Sequence, residues 1–326
     1  MLVVSRDRYP AGELDRANER IDLQFDPPMR TLRLVGELRA ALEPARRTGR
    51  TIGLVPTMGA LHAGHLSLIA AARAQCDVVV MSLFVNPAQF DERVDLDRYP
   101  RREHEDGELA ERAGVDLLFA PAPEEVYPPG FSTSVEVRGL TDRLEGEVRG
   151  RAHFNGVTTV VCKLLNMVAP DVAYFGQKDA QQLTVIRRLV ADLNLTVRIA
   201  ACPTVRESDG LAMSSRNAHL SPEERTRAPA LHHALAAADA AVSEGERSAD
   251  ALLERARETL RRAGVEPEYV ALVDPCKLEP IARLEQPALL ALAARVGSTR
   301  LIDNAILEPS PSASEQCHPS PAAVAG

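Results

Sequence analysis

The sequence predicts an α/β protein: a parallel-sheet domain followed by a smaller C-terminal α+β domain. Three observations carry this. Short apolar runs at 51–55, 77–85, 115–120, 172–175 and 196–201 alternate with segments of helical period, the pattern of strands buried between helices. Past residue 204 the order changes to two alanine-rich helices, about 222–243 and 249–263, then strand-like runs at 268–273, 288–293 and 299–307. Helices first and strands after mark a separate unit. The chain has 326 residues, a length that favours about two domains.

Taken in order, residues 1–30 are rich in Arg, Asp and Glu and end in Asp26-Pro-Pro28. They are expected to be a poorly ordered extension, and without an apolar core they do not make a secretory leader. Leu32, Leu34, Val35, Leu38 and Leu42 form a helical stripe over 31–47. The strand at 51–56 is expected to end at Pro56, which cannot donate to a ladder. Gly59 and Gly64 then allow close turns, His62 and His65 follow at a spacing of three, and an apolar helix covers 66–74. Strand, glycine-bearing turn and helix together suit a phosphate, because helix N-termini offer free N–H groups and a positive dipole end. The histidines add donors. A zinc reading of the same pair wants three or four ligands, and neither a third nearby histidine nor a Cys-x-x-Cys is present.

The second run ends in Asn86-Pro-Ala-Gln89-Phe90. Groups just past the carboxyl end of a parallel strand lie where open α/β sheets bind ligands, so Asn86 and Gln89 are candidate substrate contacts; a plain turn is the other reading. The charged segment 91–106 is either a solvated loop or a lid. Strands are expected at 115–120 and, with alternation, at 132–137. A basic patch, Arg149 to His153, leads into a helix marked by Val157, Val160, Val161, Leu164, Leu165 and Val168. After the strand at 172–175 comes Gly176-Gln-Lys-Asp179, then a helix marked by Leu183, Ile186, Val190 and Leu193. This second strand–turn–helix unit puts Lys178 at the same sheet end as the histidines. Past the strand at 196–201, Met213-Ser-Ser-Arg216 offers two hydroxyls and a cation that can hold a pyrophosphate. The same loop also leads to the helix start Ser221-Pro-Glu-Glu. Residues 309–326, rich in Ser, Pro and Ala, read as a disordered tail.

Composition narrows the function classes. The chain is 45% hydrophobic and 26% charged, with a net charge of −8 and a pI of about 5.6. That argues against a broad nucleic-acid surface but not against a local basic pocket. Five scattered cysteines, Cys76, Cys162, Cys202, Cys276 and Cys317, read as buried free thiols of a cytoplasmic protein. No run approaches the roughly twenty apolar residues of a membrane span.

Five separated motifs carry a resemblance: Pro56-Thr-Met-Gly-Ala-Leu-His-x-Gly-His65, Phe84-Val-Asn-Pro-x-Gln-Phe90, His153-Phe-x-Gly-Val157, Phe175-Gly-x-Lys-Asp-x-Gln-Gln182 and Asp209-Gly-Leu-Ala-Met-Ser-Ser-Arg-Asn217. The first and last look like the HIGH and KMSKS signatures of the nucleotidylyl-transferase superfamily. The full set, from about 31 to 308, resembles the pantothenate synthetases. The resemblance implies a Rossmann-like domain at 31–204, a smaller domain at 205–308 that closes over the site, and a homodimer. It implies condensation of (R)-pantoate with β-alanine through a pantoyl adenylate, consuming ATP with Mg²⁺ held mainly through the nucleotide and releasing AMP and pyrophosphate. By residue, Met58, Gly59, Ala60, Leu61, His62, Ala63, Gly64 and His65 would bind ATP, His65 being the family's proton donor. Gly176, Gln177, Lys178, Asp179, Val205, Met213, Ser214, Ser215 and Arg216 would line the same site. Gln89 would touch pantoate and β-alanine, and Gln182 pantoate. The catalytic set is His62, His65, Lys178, Ser214, Ser215 and Arg216. The sequence departs from the family at Gln177, where Glu is usual, and at Arg149-Gly-Arg-Ala, where Arg-Pro-Gly is commoner. A different adenylyltransferase would want more cations where Gln89 and Gln182 stand.

Overall fold

The computed structural model describes residues 28–90, 96 and 99–309; the expected extension up to residue 27 and the tail from 310 lie outside them. Six parallel strands form one sheet in the order β1-β4-β3-β2-β5-β6. These are β1 (Arg30–Leu32), β2 (Ile52–Thr57), β3 (Val78–Leu83), β4 (Leu117–Phe119), β5 (Val172–Gly176) and β6 (Arg198–Cys202). β2 to β5 are almost wholly buried, which is why they read as unbroken apolar runs rather than as alternation. Helices α1 (Val35–Arg47) and α2 (Ala63–Gln75) flank the centre. One apolar cluster joins Leu38 and Leu42 of α1 to Leu54, Val80 and Phe119. Another joins Leu68, Ile69 and Ala72 of α2 to Val55, Val79 and Met81. The two clusters take alternate residues of β2 and β3, as a period of two requires.

The topology reverses between β2 and β5. From β2 the chain builds outward through β3 and β4, then returns to lay β5 on the other side of β2. Ligands bind at such a switch point, outside the carboxyl ends of the strands. Here β2 and β5 pair only at Gly53–Val172 and Leu54–Ala173 and are not paired beyond.

Four sequence expectations are corrected. The helical stripe begins too early: Arg30–Leu32 is an edge strand paired with Leu117–Phe119, and α1 starts at Val35. Pairing, not local propensity, decides such short segments. Pro56 does not end its strand; β2 runs to Thr57. The Thr51 and Thr57 carbonyls accept from Val78 and Phe84, so odd residues of β2 face β3 and even ones face β5. The missing N–H of Pro56 therefore falls on the side where pairing has already stopped. Residues 132–137 form no strand. Val135 is held on both backbone atoms, its N–H by Thr159 Oγ1 and its carbonyl by Thr158 Oγ1. The helix expected over 222–243 is two, α7 (Pro222–Arg227) and α8 (Ala230–Ser243), divided at Pro229. Ser221 caps α7 in a capping box with Glu224, as expected.

Between β3 and β5 lie α3 (Glu103–Arg112), α4 (Pro123–Val126) and the long α5 (Glu145–Val168), kinked where Gly150 takes φ 76°. The basic patch at Arg149 thus lies inside a bent helix. α6 (Ala180–Asp192) follows β5. The C-terminal strands β7 (Pro267–Val273), β8 (Ala288–Val296) and β9 (Thr299–Leu307) form an antiparallel sheet. Leu290, Leu292 and Ala294 of β8 pack with α8 and α9 (Ala249–Arg262), while Leu289 and Ala291 join the core of the parallel sheet. β8 is thus buried on both faces and also reads as a continuous apolar run.

Cys76 and Cys202 are buried free thiols, as expected, but Cys162 is half-buried and Cys276 exposed. No described helix is long and apolar enough to cross a membrane.

Candidate active site

The site is assembled at the carboxyl ends of β2 and β5. After β2, the turn through Met58, Gly59, Ala60 and Leu61 is held by one buried carboxylate. Asp106 of α3, 2% exposed, accepts from Ala60 N at 2.9 Å and Leu61 N at 2.8 Å. Gly59 has φ 90°, and a Cβ there would meet Asp106 Oδ2 at 2.9 Å, so glycine is required. The turn delivers His62 to the N-cap of α2, whose first turn holds no acidic residue. No acidic residue of the first turn therefore offsets the positive end of the helix.

The two imidazoles cap this helix reciprocally. His62 Nδ1 accepts from Gly64 N at 3.1 Å, and His65 Nδ1 accepts from His62 N at 3.3 Å. The ring centroids are 4.1 Å apart. Burial, reinforced by the neighbouring His62, pushes His65 down to about 3; burial and the Lys178 charge also lower His62. Both rings are therefore neutral near pH 7. Because each Nδ1 accepts, the single ring proton belongs on Nε2. The arrangement yields two neutral N–H donors, not two acids.

Gly176 ends β5, and Gln177–Asp179 form a 3-10 turn before α6. The Lys178 side chain is only 17% exposed, with Asp179 at 3.9 Å. The third loop is a tight hairpin in which Met213 N donates to the Val205 carbonyl at 2.9 Å. It is fastened at three points. Arg206 pairs with the buried Asp303 of β9 at 2.6 Å. Arg225 of α7 pairs with Glu207 and Asp209. Gly210, at φ 92°, lies flush against His232 of α8. Ser214 then caps a short turn by accepting from Arg216 N at 3.3 Å. Met213 Cβ comes within 3.8 Å of where a Cβ on Gly64 would be, so the third loop abuts the first. Lys178, Ser214 and Arg216 line one crevice with Arg300 and Asp303. Three loops spread over some 150 residues of chain thus converge; Ser215 and Ala63 belong to the same two turns.

The proposed substrate side is a second interlocked unit. Asn86 is 1% exposed; its amide donates to Gly156 O at 3.0 Å and accepts from Tyr127 Oη at 2.8 Å and Ala88 N at 3.3 Å. Its oxygen and one of its amide hydrogens are engaged inside the protein, so in this structure Asn86 braces the loop. A Cβ on Gly156 would lie 2.1 Å from Ala88 O, so glycine lets α5 touch this loop. His153 Nδ1 donates to Gln89 O at 2.8 Å, and its Nε2 accepts from Arg149 at 3.0 Å. Those contacts hold the Gln89 backbone. Of the adjacent glutamines, Gln181 is buried, holding Leu140 O, Arg143 O and Glu145 N. Gln182 is half-buried, and no protein partner holds its side chain among the described residues. Arg149 faces Arg216; burial, then that like charge, lowers its affinity for its proton.

Sequence reasoning missed Asp106, Arg300, Asp303 and Asn304. The contacts that tie them to the site loops and to α5 span 45 to 155 residues, so no local pattern marks them.

A parallel sheet with neutral imidazoles at a helix start and a lysine and an arginine lining one crevice defines a Rossmann-like protein with a cationic crevice at its switch point. More narrowly, the chain belongs to the pantoate-beta-alanine ligase family, whose model matches residues 30–306. It is similar to the pantothenate synthetase of Rhizorhabdus wittichii, 52% identical over 284 residues, covering 87% of this chain and all of that one. It is similar in structure to the pantothenate synthetase of Thermus thermophilus, with TM-score 0.81 and 48% identity over 86% of this chain and all of that one. A Francisella tularensis pantoate-beta-alanine ligase, solved as a complex with beta-gamma ATP and beta-alanine, matches with TM-score 0.71 and 32% identity over 87% of this chain and all of that one.

Proposed function

We propose that this chain condenses (R)-pantoate with β-alanine at the expense of ATP, through a pantoyl adenylate. The observation that carries the reading is the meeting of the His62–His65 turn, Lys178 and the Ser214–Arg216 turn at one sheet rim, in a member of this ligase family. The carboxylate of pantoate is already a competent nucleophile at neutral pH. The difficulty is charge, because an anion must approach a triphosphate. Nε2–H of His62 and His65, the Lys178 ammonium, the Arg216 guanidinium and the Ser214 and Ser215 hydroxyls offset it by donating to phosphate oxygens. His65, with its proton affinity so low, acts as a hydrogen-bond donor rather than by giving up a proton. Met58 to Leu61, Gly176 to Asp179 and Val205 supply the remaining walls of the nucleotide site. Gln89 and Gln182 carry the substrate side, since an amide both donates and accepts. The amine of β-alanine then attacks the mixed anhydride and releases AMP.

Among the described residues no group of three or more His, Cys, Asp or Glu could hold a metal ion. A Mg²⁺ carried in on the triphosphate would neutralise phosphate charge. We take residues 31–204 as the ATP- and pantoate-binding domain and 205–308 as the closing domain. Support comes from the end of β6 at Cys202 and from an apolar cluster drawn only from 211–307. A cytoplasmic homodimer is the assembly we assign to it.

The test uses purified protein with ATP and Mg²⁺. Pantoate alone should support pyrophosphate exchange, and AMP release should need β-alanine as well. AMP release indifferent to β-alanine overturns the reading.

A further inference from the structure

Strand β9 belongs to the C-terminal sheet, yet three of its residues hold segments outside that sheet, two of them in the parallel-sheet domain. Arg300 forms a bidentate pair with Glu145 at the start of α5, at 2.7 and 2.8 Å. Asp303 holds Arg206 of the Ser214–Arg216 hairpin. Asn304 Nδ2 donates to two successive carbonyls, Gln177 O at 3.1 Å and Lys178 O at 2.8 Å.

The last contact has a specific consequence. The Gln177 carbonyl belongs to the peptide before the Lys178 Cα and the Lys178 carbonyl to the peptide after it. Peptide units are planar, so holding both carbonyls restrains the two soft torsions of Lys178 and with them its Cα–Cβ direction. Resting on the nucleotide-site reading above, we propose that Asn304 is a positioning residue for the first half-reaction: it aims Lys178 at the triphosphate from the opposite domain. Docking of the domains does not depend on it. Val273, Leu278, Leu289 and Ala291 bury themselves in the parallel-sheet core, and the Arg300–Glu145 pair adds a second tie. Asn304 is half-buried and supplies aim rather than adhesion. The same strand holds the hairpin of Arg216 through Asp303, so one element sets the relative placement of two cationic groups 38 residues apart in sequence.

Asn304→Leu keeps the volume and removes the donor. It should lower kcat/KM for ATP in pantoate-dependent pyrophosphate exchange about tenfold or more. KM for pantoate and the urea midpoint should stay at wild-type values, a split that a merely structural role would not give. Asn304→Ser, too short to span both carbonyls, serves if the leucine variant does not fold. ATP affinity of each variant is measured separately by calorimetry. Wild-type ATP kinetics and affinity in both variants overturn the proposal. A wild-type protein without exchange activity overturns the functional reading instead, and the ATP affinities still decide the role of Asn304: weaker binding supports it, equal binding sinks it.

Discussion

Single side chains here are set by what surrounds them. His65 ordinarily would titrate near 6.5, and burial brings it to about 3. Its resonance should keep the neutral Nε2–H pattern from pH 8 down to pH 5 in a nitrogen-resolved NMR titration; a midpoint near 6.5 would contradict the buried geometry. Between 6.5 and about 3 the unfolded chain binds a proton that the folded protein refuses, so this group makes stability fall as pH drops through that window. From pH 7 to 5 the contribution is about 2 kcal/mol, and His65→Gln should flatten that part of the urea-denaturation profile. Lys178 presents a different case, an ammonium 17% exposed whose near carboxylate is 3.9 Å away. Lys178→Ala and Arg216→Ala should each reduce turnover about 100-fold with little change in thermal midpoint. Wild-type turnover in both would remove them from the site.

At the level of elements, motifs that look independent in sequence prove to be halves of one joint. The loop at Asn86–Gln89 and the segment His153–Gly156 interlock through the Asn86 amide, the His153 ring and the missing side chain of Gly156. Gly156→Ala must push the Ala88 carbonyl aside and should cost about 2 kcal/mol or more. It should also raise KM for pantoate several-fold, read by denaturation and steady-state kinetics on the same preparation. This joint explains what was legible beforehand. Central strands, α2, the later part of α5, α6 and all three C-terminal strands announce themselves because burial on one or both faces writes apolar runs or stripes. The three turns proposed to face phosphate announce themselves because that chemistry would call for His, Lys, Ser and Arg at fixed spacing. The edge strand Arg30–Leu32 does not, since three residues acquire their structure only from β4. Residues 132–137 mislead because their alternation serves a helix surface through Val135, not a neighbouring strand. Asn86 misleads in kind: its position at a strand end invites a ligand, but Tyr127 and Gly156 have claimed its amide.

Across the molecule, the C-terminal sheet is tied to the start of helix α5 by a largely buried ionic knot. Glu145, 13% exposed, receives Arg300 and Tyr269 from the C-terminal sheet. Burial would raise its pKa, but the Arg300 hydrogen bonds and charge win and hold it below the usual carboxylate range. Arg300→Met leaves this carboxylate with a phenol and the more distant Arg149, at 3.7 Å. Loss of one partner of a buried pair costs about 3 kcal/mol, so the variant should unfold at clearly lower urea. An unchanged midpoint would show that the apolar contacts alone fasten the domains. The central strand adds a last consequence. Because Pro56 has no hydrogen to offer on the β5 side, the gap that opens past Leu54 and Ala173 cannot be closed by a ladder bond at that residue. A pyrrolidine ring acts as a doorstop at the mouth of the cleft. The opening is thus written partly into covalent structure, and a nucleotide bound as proposed above would have no closed seam to prise apart there.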